Sequence, residues 1–216
     1  MVANTQTVAA AGLALSQATQ LAYAPIMENV HEQGAIEDSA LMLRYVDGDT
    51  TAFEALYLRH NDSLYRYLLR LSRHPETAED VFQEVWGKII KARANYRPTA
   101  KFTTFLYRVA HNCFIDHVRR NKRHTHAHVF EPENQPDPGE QPETLAERSL
   151  ARRRLNAALL DLPDEQRDVF LLHEEAGLNL DEIASITDTN RETTKSRLRY
   201  AVKKLRAAID EPVETS

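Results

Sequence analysis

One cysteine in 216 residues leaves no partner for an intrachain disulfide, which excludes the small stapled scaffolds and fits a reducing compartment. Six glycines, nine prolines and 7% aromatics are too few for collagen-like or low-complexity classes. No lysine or arginine precedes Arg44 and the first charged side chain is Glu28, so the basic start of a secretory signal is missing and a transit peptide is equally unexpected. The longest apolar-looking stretch, 9–24, is interrupted by Ser16, Gln17, Thr19 and Gln20, and no membrane insertion is expected. A Gly-rich phosphate loop and a nucleophile signature are also missing, so nothing supports an enzyme or calls for a cofactor. With 42% hydrophobic and 27% charged residues, the expectation is a helical globular protein of the cytoplasm.

The formal net charge of −5 conceals a segmented pattern. Residues 1–37 hold three acids and no Lys or Arg, whereas 38–123 hold 15 basic against 10 acidic side chains. Residues 124–144 then carry five acids and no Lys or Arg, and 145–216 carry 12 basic against 14 acidic. Within that last segment, Arg191, Lys195, Arg197, Arg199, Lys203, Lys204 and Arg206 face Glu192 alone, a local surplus of six. Two basic patches separated by an acidic stretch confine phosphate attraction to chosen surfaces, and two polyanion-facing sites are the simplest reading.

Residues 1–37, rich in Ala, Gln and Thr, lack sustained amphipathic spacing and read as a flexible tail. Met27 precedes a more ordinary amino terminus, Glu28 to His31, and is a candidate initiator. From Asp38 the apolar spacing turns helical. Leu41, Tyr45 and Val46 lie on one short helix capped by Asp38 or Ser39, and Gly48 with Asp49 breaks it. Phe53, Leu56, Tyr57, Leu64, Leu68 and Leu71 mark a longer helix ending at 73–76, where Pro75 suits a first helical turn. The next runs from about Glu76 to the Lys91 region and buries Ala78, Val81, Val85 and Ile89. After a loop around Pro98, a fourth helix from about Phe102 buries Phe105, Leu106, Val109, Phe114 and Val118, completing a bundle-like domain over 38–123. Pro132, Pro136, Pro138 and Pro142 mark 124–144 as a linker.

A second domain, 145–210, starts near Thr144 with a helix carrying Leu145, Leu150, Leu155, Ala158, Leu159 and Leu162, followed by a short tail over 211–216. Pro163 and Asp164 restart the chain as a helix whose core face is Val169, Phe170 and Leu172, and Gly177 ends it. A short helix over Leu180 to Thr187, a turn at Asp188 to Asn190 and a long basic helix to about Ile209 make a helix-turn-helix pattern, capped by Asn190 or by a Thr189 to Glu192 capping box. No alternating run makes a strand, so the fold class is all-α, with two small helical domains on a flexible Pro-rich acidic linker. A recognition helix enters the major groove N-terminus first. That places Arg191, Glu192, Thr193, Lys195 and Ser196 at base edges, and Arg199, Tyr200 and Lys203 at bases or phosphates further along. Leu198, Ala201, Val202 and Leu205 form the opposite apolar stripe. A merely solvated basic face is the competing reading, which the preceding short helix and turn disfavour.

In the first domain, Asp80, Gln83, Glu84 and Lys88 share a polar helix face beside Trp86, either a protein-docking surface with an aromatic anchor or a plain solvated face. Tyr96, Lys101, Phe102, Phe105, Arg108, Asn112, Arg119 and Arg120 mix rings with cations. Stacking on unpaired bases and burial in the bundle both stand open for the rings, and composition alone favours burial. His124, His126 and His128 alternate, and Cys113 lies between His111 and His117, but neither spacing suits zinc, so no metal is expected and Cys113 reads as a small core residue.

Taken together, Asp80-Val81-Phe82-Gln83-Glu84-Val85-Trp86, the run Lys101 to Asn112, Leu162-Pro163-Asp164-Glu165-Gln166-Arg167 leading to Leu172, and Thr194-Lys195-Ser196-Arg197-Leu198 resemble bacterial RNA polymerase sigma factors of the extracytoplasmic-function group. The likeness covers about Asp38 to Ile209, in order across both domains. It implies a sigma-2 domain docking on core RNA polymerase through Asp80, Gln83, Glu84 and Trp86. It also implies that the segment from Tyr96 to Arg120 opens the minus-ten promoter element and holds a flipped base, with Asn112 at the base-reading position. A sigma-4 helix from Arg191 would read the minus-35 duplex, and the acidic linker would thread toward the active-site and RNA-exit channel. An anti-sigma partner is common in the family. Three positions depart from its pattern: Phe105 stands for a usual Trp, Asp188 for a frequent turn Gly and Thr194 for a frequent Val, while Ser196 is as expected. The rival is a helix-turn-helix transcriptional regulator without polymerase-core binding, which predicts an α/β receiver or sensor domain upstream.

Overall fold

The computed structural model describes residues 37–121 and 154–210, and the regular structure in these segments is helical, as expected. The first segment carries α1 (Asp38–Val46), α2 (Thr50–Ser72), α3 (Pro75–Ala92), a 3-10 turn (Arg93–Asn95) and α4 (Phe102–Asn121). The second carries α5 over 154–160, then α6 (Asp164–Glu174), α7 (Leu180–Ile186) and α8 (Arg191–Asp210). The expectations for the N-terminal tail, Met27, the linker, the start of the fifth helix near Thr144 and the tail after 210 lie outside the described residues. Among the described residues no helix is long and apolar enough to cross a membrane.

The chain divides into two compact units between Leu58 and Arg59, inside α2. In the first, Leu41, Met42 and Tyr45 of α1 and Ala52, Ala55 and Leu56 of α2 are buried, and the Tyr45 and Phe53 rings lie 4.7 Å apart. The cap of α1 falls at Glu37, without a side-chain bond, rather than at Asp38 or Ser39. Asp49 caps α2: its Oδ1 accepts from Thr51 N (3.0 Å), Thr51 Oγ1 (2.6 Å) and Ala52 N (3.3 Å), while Oδ2 accepts from Arg44 Nε (2.9 Å) and Nη2 (2.6 Å). Led by the Thr51 hydroxyl and then by Arg44, these donors hold the Asp49 carboxyl down from 3.8 to about 2.

In the second unit, Leu64, Tyr67, Leu68 and Leu71 of α2 are buried, as are Ala78, Val81, Val85, Trp86 and Ile89 of α3. Pro75 opens α3, where its missing N–H has no helical acceptor to lose. The buried side of α4 is not the one expected. Leu106 and Cys113 are in the core as expected, but Phe105, Val109, Phe114 and Val118 are half-buried, while Phe102, Thr104, Tyr107 and Ala110 are buried. The reason is that α4 is covered twice, by α3 and by α7, so small and polar positions are enclosed that a single apolar stripe would leave out. The α5–α8 module packs Ala158, Leu159 and Leu162 against Ala201 and Leu205, with Leu155, Phe170 and Ala208 at the margin. Leu171 rather than Phe170 joins Val169 and Leu172 in the interior. Gly177 closes α6 at φ +62°, a conformation natural to glycine.

The folded Asp49 carboxyl ionises below its unfolded value, so its charge stabilises fully above pH 3.8 and the contribution is lost as pH falls toward 2. The melting-temperature gap between wild type and Asp49→Asn, followed by circular dichroism, should therefore narrow as pH drops from about 5 toward 2.

Candidate nucleic-acid interface

A capping box starts α7: Asn179 Oδ1 accepts from Asp181 N and Glu182 N, and Asn179 N donates to Glu182 Oε2 at 2.9 Å. The turn into α8 places Asp188 at φ +52°. Where glycine would relax that geometry, three threonines brace it. Thr187 Oγ1 donates to Ile183 O (2.9 Å), Thr189 Oγ1 lies 3.1 Å from both Thr187 Oγ1 and Thr194 Oγ1, and the fully buried Thr194 donates to Asn190 O (3.1 Å). Asn190 is the cap of α8, its Oδ1 accepting from Thr193 N at 2.8 Å, so Thr189 serves the turn and not a box with Glu192.

Ala201 and Leu205 hold α8 on its module, with Leu198 and Val202 half-buried beside them. On the opposite side Arg191, Glu192, Lys195, Arg199, Tyr200 and Lys203 are exposed, and Thr193 and Ser196 half-buried. Arg191 reaches Asp181 at 3.2 Å, an exposed pair of little energetic weight. The Arg199 guanidinium sits 5.2 Å from the ring centre of Tyr200, itself 53% exposed, so a cation and a stacking surface are offered together. All eight recognition-helix residues named from the sequence thus share one cationic, solvent-facing helix.

In the first module, Asp80, Gln83 and Lys88 are exposed and Glu84 is half-buried, but Trp86 is only 5% exposed. It packs edge-on to Phe82 at 6.4 Å and belongs to the core beneath the polar face, so it is not a surface anchor here. Glu84 is held by Lys88 at 2.9 Å and Arg120 at 2.8 Å, and these donors, Lys88 foremost, keep its carboxyl below the usual range. Arg120, named for nucleic acid, is therefore tied to a residue named for protein docking. Tyr96 and Phe102 are buried, while Phe105 is half-buried with its ring centre 5.3 Å from that of Tyr96 and 6.3 Å from that of Phe102. Of the candidate stacking rings, Phe105 alone is more than marginally open. Lys101, Arg108, Asn112, Arg119 and Arg120 are exposed. Cys113 is buried, which pushes its thiol up, and no cluster of His, Cys, Asp or Glu among the described residues could hold a metal ion. His124, His126 and His128 lie outside them.

Sequence reasoning missed a set of contacts that join the two modules. Lys101, Thr104, Arg108 and His111 fall at spacings of three, four and three and so line one stripe of α4. Along it, Glu182 Oε1 meets Lys101 Nζ and Thr104 Oγ1, both at 3.3 Å, Arg108 Nη2 donates to Ser185 Oγ at 2.6 Å, and His111 Nδ1 lies 2.9 Å from Asp168 Oδ2. The wholly buried Tyr67 donates to Asp168 Oδ1 at 2.8 Å, and burial followed by that carboxylate raises its hydroxyl well above the ordinary range. Arg66 Nε reaches Glu175 Oε2 at 3.0 Å, and Arg70 pairs with the other oxygen. Only Glu182 gave a signal in the sequence, three residues after Asn179, and that signal was for a cap.

A short capped helix, a tight turn and an anchored cationic helix together have the form of a helix-turn-helix. Family models for Sigma-70 region 2 and Sigma-70 region 4 match residues 56–124 and 158–207. The chain is 31% identical over 157 residues to the RNA polymerase sigma factor YlaC of Bacillus subtilis, covering 71% of this chain and 91% of that one. It is 33% identical over 172 residues to the ECF RNA polymerase sigma factor SigF of Caulobacter vibrioides, covering 77% and 90%. The sigma factor RpoE of Bartonella quintana, solved with the anti-sigma factor NepR, shares the fold with a TM-score of 0.62 at 19% identity, over 75% of this chain and 98% of that one. The chain belongs to the extracytoplasmic-function group of RNA polymerase sigma factors.

Two substitutions bracket the turn. Asn190→Ala removes the α8 cap and should cost about 1 kcal/mol. Asp188→Gly relieves a left-handed residue and should gain up to about 1 kcal/mol. Urea denaturation of each variant reads both signs.

Proposed function

We propose that this chain carries core RNA polymerase to promoters, reading the minus-35 element as duplex with α8 and holding one melted strand of the minus-ten element on the first module. The observation that carries the reading is the exposed row from Arg191 to Lys203 on a capped, apolar-anchored helix, in the same chain as a region-2 match. Arg191, Glu192, Thr193, Lys195 and Ser196 meet base edges, and Arg199, Tyr200 and Lys203 meet bases or backbone. Lys101, Arg108, Arg119 and Arg120 attract phosphates, Phe105 offers the stacking ring and Asn112 the base-reading amide. Tyr96 and Phe102 act from below by seating Phe105. Asp80, Gln83, Glu84 and Lys88 dock on polymerase, with Trp86 fixing the helix that presents them.

The modules span 38–123 and 145–210, and the acidic segment 124–144 tethers them while threading toward the RNA exit. Unstacking costs a few kcal/mol per step and is offset by stacking of about 1–3 kcal/mol per captured base. The chain itself makes and breaks no bond, needs no cofactor and works in the cytoplasm, where polymerase does the chemistry. An anti-sigma factor is its natural antagonist, in keeping with the complex in which the Bartonella relative was solved. The regulator alternative is disfavoured because residues 37–121 carry no strand of a receiver domain.

Lys195→Ala and Arg199→Ala should each weaken duplex binding and lower the slope of log K against log salt by about one, measured by fluorescence anisotropy. Asn112→Ala should leave duplex binding intact and reduce open-complex formation, read by permanganate footprinting. Charge reversal at Asp80 and Glu84 should abolish co-purification with core polymerase; retention of the complex would defeat the docking assignment.

A further inference from the structure

We infer that Glu192 selects one base pair beneath the start of α8, accepting from the exocyclic amino group of a cytosine and turning away pairs that present only acceptors to it. The inference rests on the proposed duplex-reading role of α8 and concerns which bases that surface accepts. Among its many cations α8 carries two acids, Glu192 and its last residue, Asp210. At about 100° per residue, Thr194, Ala201 and Leu205 mark the buried side, and Glu192 falls opposite, in a row with Ser196, Arg199 and Lys203 at spacings of four, three and four. Its side chain is 77% exposed, and its one ion pair among the described residues is a loose 3.9 Å to Arg191, whose guanidinium lies closer to Asp181, at 3.2 Å. The carboxylate is therefore open to a ligand. Phosphates repel it, so it adds nothing to backbone attraction. An acid near a helix N-terminus does favour the dipole, but any side of the first turn would serve for that. A place at the centre of the outward face is accounted for by a donor in the groove. The major groove offers two such donors, N4 of cytosine and N6 of adenine, against acceptors on guanine and thymine. Beside the cytosine amine lies a C–H, whereas beside the adenine amine lies the N7 lone pair, which repels the second carboxylate oxygen. Cytosine is thus the favoured partner, and guanine or thymine in its place sets lone pairs against a charge. Such a filter weakens wrong sites more than it strengthens the right one.

Full-length protein, alone and joined to core RNA polymerase, selects from a randomised duplex library, and the selected duplexes are sequenced for wild type, E192A, E192Q and E165A. Glu165 is an exposed second residue of α6, as Glu192 is of α8, so E165A removes the same charge and the same dipole contribution from a helix with no residue assigned to DNA. Wild type and E165A should select cytosine at one position where E192A selects no base, with the other positions unchanged. E192Q should select adenine there, since a carboxamide accepts from N6 and donates to N7 together. On duplexes that differ at that pair alone, wild type should favour cytosine over guanine by about tenfold and E192A by less than about twofold, chiefly because E192A binds the guanine duplex more tightly. Should E192A not fold, E192Q keeps the shape of the side chain and carries the test. A selection profile of E192A or E192Q equal to that of wild type, or a changed base preference in E165A, overturns the inference. A wild-type preference that Lys195→Ala weakens and E192A leaves intact defeats the assignment of Glu192 and leaves α8 a reader. No selected sequence with any of the proteins defeats the duplex-reading role itself.

Discussion

A cationic helix repels itself and is soluble without help, so what makes α8 useful is the narrow apolar seam that pins it. Ala201 and Leu205 pack against Ala158, Leu159 and Leu162, so two alanines and three leucines make the seam. Burying that seam fixes which way the remaining circumference faces. The charge surplus between Arg191 and Arg206 thereby becomes a directed surface rather than a diffuse field. The turn, the cap and the order of α6, α7 and α8 matter because they preserve this one-sidedness.

The first module solves a different problem. Six of its twelve rings, Phe105 among them, are half-buried, and the other half, Tyr45, Tyr67, Trp86, Tyr96, Phe102 and Tyr107, are buried. Phe105 gains its partial exposure by leaning on two of them. A half-supported ring on a rigid base loses little conformational freedom when something stacks on it. The surrounding charges are shared out inside the protein as well: Glu84 takes Lys88 and Arg120, Glu182 takes Lys101, and Asp168 takes Tyr67 and His111.

Local physics wrote most of the fold into the sequence. Gly48, Pro75, Pro163 and Gly177 punctuate helices where backbone conformation demands it, and α8 could be placed, capped and faced from spacing and charge. Legibility failed where a helix is touched on two sides: α4 encloses Thr104 against Glu182 of α7, and no periodicity within one helix encodes a neighbour that arrives from 78 residues away. Trp86 reads as a surface anchor beside Asp80 and Glu84, yet lies on the boundary between polar and apolar sides, and packing on Phe82 draws it inward. For the same reason no local pattern marks Asp168 or Glu175. Their partners are 57 to 109 residues distant in the chain.

The threonine-braced turn has a consequence for aim. Hydroxyls donate along one direction and accept along others, so a linked row of them resists twisting in a way that a flexible glycine hinge does not. Since Thr194 is wholly enclosed and hangs from both Thr189 and the Asn190 carbonyl, the azimuth of α8 about its long axis is set from inside the module. Which way the outward-pointing lysines and arginines face is thus decided by a side chain that solvent never meets.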